Sequence, residues 1–152
     1  TEEGPEKTIN AVKKKSMIDI MVINAIGPAL LLKHFCKKLD KTKFSIFVNL
    51  SARVGSITDN RLGGWISYRS SKAALNQIIK TSSIEINRRN KNAICVGLHP
   101  GTVKTRFTEK FQNTTETISP DESVEMMMKV VENLSVDDNG YCFAYDGKVI
   151  PA

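Results

Sequence analysis

A chain of 152 residues, 41% hydrophobic and 25% charged, is sized for a single soluble domain with a real core. Its net charge of +6 lies in separate short groups without interleaved aromatics (Lys13-Lys14-Lys15, Lys37-Lys38, Arg88-Arg89), which argues against a nucleic-acid-binding stripe and for solvated helix ends. Three cysteines with no Cys-x-x-Cys and two histidines far apart in sequence argue against a disulfide or metal framework and for free thiols in a reducing, cytoplasmic setting.

The first 15 residues are polar, and Thr1-Glu2-Glu3-Gly4-Pro5 has no signal-peptide character. From Ser16 to about Leu39 the pattern predicts a helix apolar on much of its surface, through Met17, Ile20, Met21, Ile23, Leu30, Leu31, Phe35 and Leu39. Such a helix is expected to be mostly buried or to pack on another subunit. No apolar run is expected to reach membrane-spanning length, so no membrane contact is expected. Phe44 to Leu50 is a continuous apolar run with β-branched residues, the signature of a buried strand in a parallel sheet. A polar, glycine-containing loop from Ser51 to Trp65 leads into a long helix from about Ser67 to Arg89, with Ala73, Ala74, Leu75, Ile78, Ile79 and Ile84 on its apolar side.

Asn92 to His99 reads as the next strand, ended by Pro100-Gly101. An irregular polar stretch follows, with Phe107 and Phe111 as isolated aromatics. Ser119-Pro120-Asp121-Glu122 is a helix start, with a capping Ser, a Pro at the first helical position and a Glu to close a capping box. That helix runs to about Leu134, with Val124, Met127, Met128 and Val131 expected inward. Asp138-Asn139-Gly140 turns into a last strand, Tyr141 to Tyr145, and Asp146-Gly147 makes a tight turn before Lys148-Val149-Ile150. The alternation of helix and strand predicts an α/β fold with a parallel sheet and helices on both faces, whose ligands bind beyond the carboxyl ends of the strands.

Three segments fall at that edge: the loop after Leu50, the start of the Ser67 helix and the Pro100-Gly101 turn. One of them carries Tyr68 and Lys72, four apart and so on one helical face. A phenol titrates near ~10 when left alone, and a neighbouring ammonium favours its ionised form. A Tyr so tuned can act as a general acid or base. By itself the spacing is also that of two surface residues on a helix; its place at the strand ends gives it the catalytic meaning.

These residues resemble the short-chain dehydrogenases/reductases. Tyr68-Arg69-Ser70-Ser71-Lys72 resembles the family's Tyr-x-x-x-Lys, Pro100-Gly101-Thr102-Val103-Lys104-Thr105 its Pro-Gly segment, and Asn24-Ala25-Ile26-Gly27 its helical Asn motif. The strings Ser51-Ala52-Arg53-Val54-Gly55-Ser56-Ile57 and Asn60-Arg61-Leu62-Gly63-Gly64-Trp65, with Asp146-Gly147-Lys148-Val149-Ile150-Pro151, look closest to C-factor-like and sniffer-like carbonyl reductases. The resemblance implies reduction of a ketone or aldehyde with hydride from NAD(P)H, NADP or NAD being left open. In it Tyr68 donates the proton, Lys72 lowers the Tyr pKa and holds the nicotinamide ribose, and Asn24 organises a relay water. Pro28 lacks an N–H, so the Asn24 carbonyl loses its helical partner. That either frees the carbonyl for such a water or simply kinks the helix. Pro100, Gly101, Thr102, Val103 and Thr105 would meet the cofactor, and Thr105 to Thr117 would form a substrate lid with Phe107 and Phe111. The resemblance also implies a homo-oligomer through the helices at 16–39 and 67–89.

The chain departs from the family pattern in two ways. The family's strand ends Asn-x-Ser-Ser, whereas Asn49-Leu50-Ser51-Ala52 puts Ala52 at the usual catalytic Ser position. Ser51, or Ser56, would serve only if the strand end twists. The N-terminal glycine-rich turn is also absent, as are the residues that choose between NAD and NADP. Residues 1–152 therefore read as the catalytic half of a truncated Rossmann-type domain lacking its N-terminal βαβ units. The alternative is a non-catalytic fragment or interaction module unable to bind nucleotide alone. In either case the strand at Phe44–Leu50 is expected to be an exposed apolar edge.

Overall fold

The computed structural model describes residues 5–106, 108–109 and 117–152. Its centre is a three-stranded, all-parallel sheet in the order β1 (Ser45–Leu50), β2 (Ala93–His99), β3 (Cys142–Ala144). Every residue of β1 is in register with one of β2, from Ser45 opposite Ala93 to Leu50 opposite Leu98.

β2 is the buried strand, and its period of two divides the core. Ala93 and Cys95 face one layer with Leu32, Leu75, Ile79 and Ile86. Ile94, Val96 and Leu98 face the other with Phe143, Met127, Val130, Val131 and Leu134. A parallel strand flanked by helices on both faces needs apolar residues at every position, which is why β2 shows a run and not an alternation. At Gly97, opposite Cys142, a Cβ would come within 2.3 Å of the Cys142 sulfur, so this crossing is closed to larger residues.

β1 is also parallel, but it is only half-buried and forms the edge, with Leu50 59% exposed. The apolar run read from the sequence as a buried strand is thus buried on one flank alone, as the expected exposed edge requires.

The first helical run spans Lys14–Lys38, in which α1 (Lys14–Met21), one π-helical turn (Val22–Ile26) and α2 (Gly27–Phe35) follow without a break. A π turn beside Pro28 is a recognised way of absorbing an interrupted ladder. Of the two alternatives for this run, burial within the chain does not hold: Ala25 and Leu32 are inside, but Ile23 is 72% exposed, and Leu30, Leu31 and Phe35 are each more than half exposed. The expectation about its length is corrected outright. At 25 residues it is also long and apolar enough, by length and composition, to cross a membrane. The run is this exposed because its apolar residues are spread over several faces and only one face packs.

α3 (Ile66–Arg89) covers one face of the sheet, buried through Leu75, Ile79 and Ile86; Ile84, expected inward, is exposed. α4 (Pro120–Glu132) begins with the predicted capping box between Ser119 and Glu122. It turns Met127, Val130 and Val131 to the sheet, while Val124 and Met128 face out. After β3, Gly147 (φ 82°) closes the predicted tight turn, and Val149 bridges back to Phe143.

Candidate active site

Tyr68 and Lys72 lie on the first two turns of α3, beside the carboxyl ends of β1 and β2. The Lys72 side chain is buried, and its ammonium nitrogen donates to the carbonyl of Leu50 at 2.9 Å. It also stands 5.9 Å from the centre of the Tyr68 ring. Ser51 N–H donates to the Leu98 carbonyl at 2.9 Å, so the ends of both strands are tied beneath the pair. Gly55, in a single 3₁₀ turn (Arg53–Gly55), lies so close that a Cβ there would come within 2.8 Å of the Lys72 backbone.

The electrostatics differ from the sequence expectation. Burial pushes the Tyr68 phenol above its ordinary value and lowers Lys72 below its own. Desolvation opposes both charged forms and is the cause of both shifts, so the lowering of the Tyr68 pKa expected from its Lys72 neighbour is not seen. Tyr68 is accordingly a protonated phenol at neutral pH, suited to giving a proton.

The other expected residues are arranged around this pair. Asn24 Nδ2 donates to Ser71 Oγ at 3.0 Å, and Ser71 Oγ donates to the Tyr68 carbonyl at 2.8 Å. Asn24 is therefore coupled to the helix turn that carries both Tyr68 and Lys72. Ser51 is buried with its hydroxyl turned along α3 to Asn76 Oδ1 (2.5 Å), one turn beyond Lys72. Ala52 is buried too, and Ser56 is engaged with the Ala152 carbonyl and the Asp59 N–H. Beyond β2, the Pro100 carbonyl accepts from Ser123 Oγ at 2.7 Å, and Gly101 takes a left-handed φ of 81° against the Tyr145 ring. Thr102 and Lys104 exchange backbone bonds with Ile118; Thr108 Oγ1 donates to the Val103 carbonyl and accepts from Thr105 N–H. Phe107 and Phe111 lie outside the described residues.

Three neighbours of the site escaped the sequence reading. His99, the last residue of β2, has a buried Nδ1 without a hydrogen-bond partner. Burial lowers its pKa to about 4, helped by the charges of Arg53 and Lys72 and opposed by Asp146. Glu6 closes the N-terminus of α3: its carboxylate accepts from Ser67 Oγ and from Ser67 N–H, and its carbonyl accepts from Trp65 N–H at 2.6 Å. Trp65 sits edge-to-face on Tyr68, with ring centres 6.3 Å apart. Trp65 was legible as an aromatic after two glycines; the Glu6–Ser67 contact, 61 residues apart, has no local signal. A cleft of about 640 Å³ between α2 and α3, around Leu32, Cys36 and Ile86, contains none of these groups.

A family profile described as short chain dehydrogenase matches residues 4–116. An uncharacterized oxidoreductase of Schizosaccharomyces pombe is 35% identical over 162 residues, covering 98% of this chain and 60% of that protein. C-signal of Myxococcus xanthus is 30% identical over 135 residues, covering 89% of this chain and 78% of that protein. Among solved structures, the carbonyl reductase Sniffer of D. melanogaster superposes with a TM-score of 0.84 at 27% identity, over 98% of this chain and 62% of its own. The NADPH-bound carbonyl reductase from chicken fatty liver gives 0.83 at 36% identity, over 98% and 63%. The chain thus spans about three fifths of the length of the S. pombe relative and of these two structures.

Proposed function

We propose that this chain, which belongs to the short-chain dehydrogenase family, carries the proton-donating centre of an NAD(P)H-dependent carbonyl reductase. The observation that carries the reading is the pairing of Tyr68 with a Lys72 whose ammonium is fixed on the Leu50 carbonyl at the sheet's carboxyl edge. Tyr68 donates its proton to the oxygen of a ketone or aldehyde. Lys72 supplies positive charge beside the phenolate that remains, and two further ammonium protons for a ribose hydroxyl. Asn24, through Ser71, holds the turn that carries the pair. With Ala52 at the usual serine position and Ser51 directed to Asn76, polarisation of the substrate oxygen falls mainly to Tyr68.

The residues fit the nicotinamide half of a dinucleotide. Lys72 has donors to spare, and Pro100, Gly101, Thr102, Val103 and Thr105 form an anchored turn beyond β2. When bound, the cofactor supplies hydride. Among the described residues no glycine-rich turn opens a helix after a strand, so the fit covers this half alone.

A second reading, an interaction module, draws support from the half-exposed β1 edge and the exposed apolar face of Lys14–Lys38. In it the apolar helix around Ile20 to Leu39 packs on a partner, whereas the reductase would form a homo-oligomer through the helices at 16–39 and 67–89. Titration with NADPH separates the two. Saturable binding, with NADPH consumed in the presence of an aldehyde and turnover lost in Tyr68→Phe, supports the reductase. Assembly without nucleotide binding supports the module.

A further inference from the structure

We propose that the cleft between α2 and α3 binds an amphipathic anion, a free medium-chain alkyl carboxylate, at a site separate from the Tyr68 centre.

The cleft measures about 640 Å³, within the usual range for sites that hold small molecules. Its floor is apolar. Leu32 and Ile86 are buried there, and Ile78 and Cys36 pack half-buried against the same core cluster. One wall follows from helical spacing on α3: Ile78, Ser82, Glu85 and Arg89 recur every three or four residues and share a face. The far end is fixed by hydrogen bonds. Asn90 Nδ2 donates to the Asp40 carbonyl at 2.8 Å, and Asn92 Nδ2 donates to the Lys41 carbonyl at 2.9 Å. The turn that carries Lys41 is thereby pinned to the end of α3.

What marks this cleft is the charge above its floor. Lys33, Lys37, Lys41 and Arg89 line it with one carboxylate, Glu85, which is itself paired with Arg89 at 3.3 Å. Among the described residues no carboxylate pairs with Lys33, Lys37 or Lys41. The neighbouring Asp40 carboxylate is folded back on its own turn, where it accepts from Thr42 N–H and Oγ1 and from Lys43 N–H. Three exposed lysines therefore stand unneutralised around an apolar trough, and their potential favours an anion. Their aliphatic stems extend the apolar wall while the charges stay at the water. The complementary molecule has one anionic end and an apolar tail, with its carboxylate at the rim and its chain along Leu32 and Ile78. A hydrophilic anion would leave the floor wet, and a neutral hydrocarbon would leave the lysines unmatched.

The test titrates the full chain with octanoate and decanoate, with 1-octanol as the uncharged probe, and locates binding by amide shifts in NMR. Saturable shifts are expected at residues 29–41 and 78–90. Affinity should rise about tenfold from octanoate to decanoate, as burial of two further methylenes requires. Octanoate should bind about threefold to tenfold more tightly than 1-octanol. Lys37→Glu with Lys41→Glu should weaken decanoate about tenfold and leave 1-octanol unchanged, while Lys37→Arg with Lys41→Arg should keep both. All four positions changed are exposed side-chain sites, and native circular dichroism spectra confirm that the variants fold. No saturable decanoate binding, shifts centred on the Tyr68 turn, equal affinity for 1-octanol, or undiminished binding by the charge-reversed chain would overturn the assignment. So would sedimentation as a dimer that decanoate does not bind, which would give the cleft to a second copy of the chain, or capture by phosphatidylglycerol vesicles in place of decanoate.

Discussion

The ammonium of Lys72 bonds the carbonyl of Leu50 at 2.9 Å, which ties the helix of Tyr68 to the last residue of an edge strand. Their relationship sets the geometry of the whole site. A buried ammonium needs a partner, and the strand end provides a carbonyl that β2 does not use for this purpose. The Tyr68 ring then lies 5.9 Å from a charge whose position is fixed.

Burial raises the Tyr68 pKa above its ordinary 10. The proposed reduction needs the protonated phenol, so its rate should stay level through neutrality and fall only above pH ~10. Oxidation of an alcohol needs the phenolate and should rise with pH over the same range. Tyr68→Phe should lower turnover by about 10²–10⁴. Steady-state rates in both directions from pH 6 to 11 check this; a reduction limb falling near pH 7 would contradict it.

Gly55→Ala should act on the site from behind. The new Cβ would meet the Lys72 backbone at 2.8 Å, and helix backbone yields poorly. A loss of about 1–3 kcal/mol is expected from overpacking, together with a lower kcat. Urea melts and rates measured on the same sample test it, and unchanged values for both would show that the turn moves freely.

His99 should make the protein acid-sensitive. Its folded pKa, about 4, lies below the 6.5 of the exposed imidazole. The unfolded chain therefore binds the extra proton between those values, and the stability present above pH 6.5 is lost as pH falls towards 4. The shift corresponds to at most about 3 kcal/mol. Carboxylates titrate in the same range, so the measurement is a difference: urea stability at pH 7 and pH 4 for the natural chain against His99→Leu, which should lose less.

Glu6 should cap α3 from a distance. Burial alone would raise its pKa, but hydrogen bonds from Ser67 prevail and hold it low. Glu6→Ala leaves the Ser67 N–H without its acceptor and should cost about 1 kcal/mol, as loss of a helix cap does. Ser67→Ala should cost a similar amount, and the double variant should cost less than the two combined. Thermal melts of the four proteins give the coupling; strict additivity would show that the contact contributes nothing.

Local pattern alone determined a good deal of this protein. A period of 3.6 put Tyr68 beside Lys72, an unbroken apolar run from Ala93 to Leu98 announced a strand covered on both faces, and Ser119 with Glu122 fixed the start of α4. Each depends on residues a few positions apart, whose geometry the backbone dictates. Tertiary structure decided what depends on distant partners. It left Ile23 and Leu31 exposed, directed Ser51 to Asn76, joined Glu6 to Ser67, and buried Tyr68 enough for desolvation to raise its pKa. Burial and long-range pairing are properties of the assembled fold, and so no window of sequence contained them.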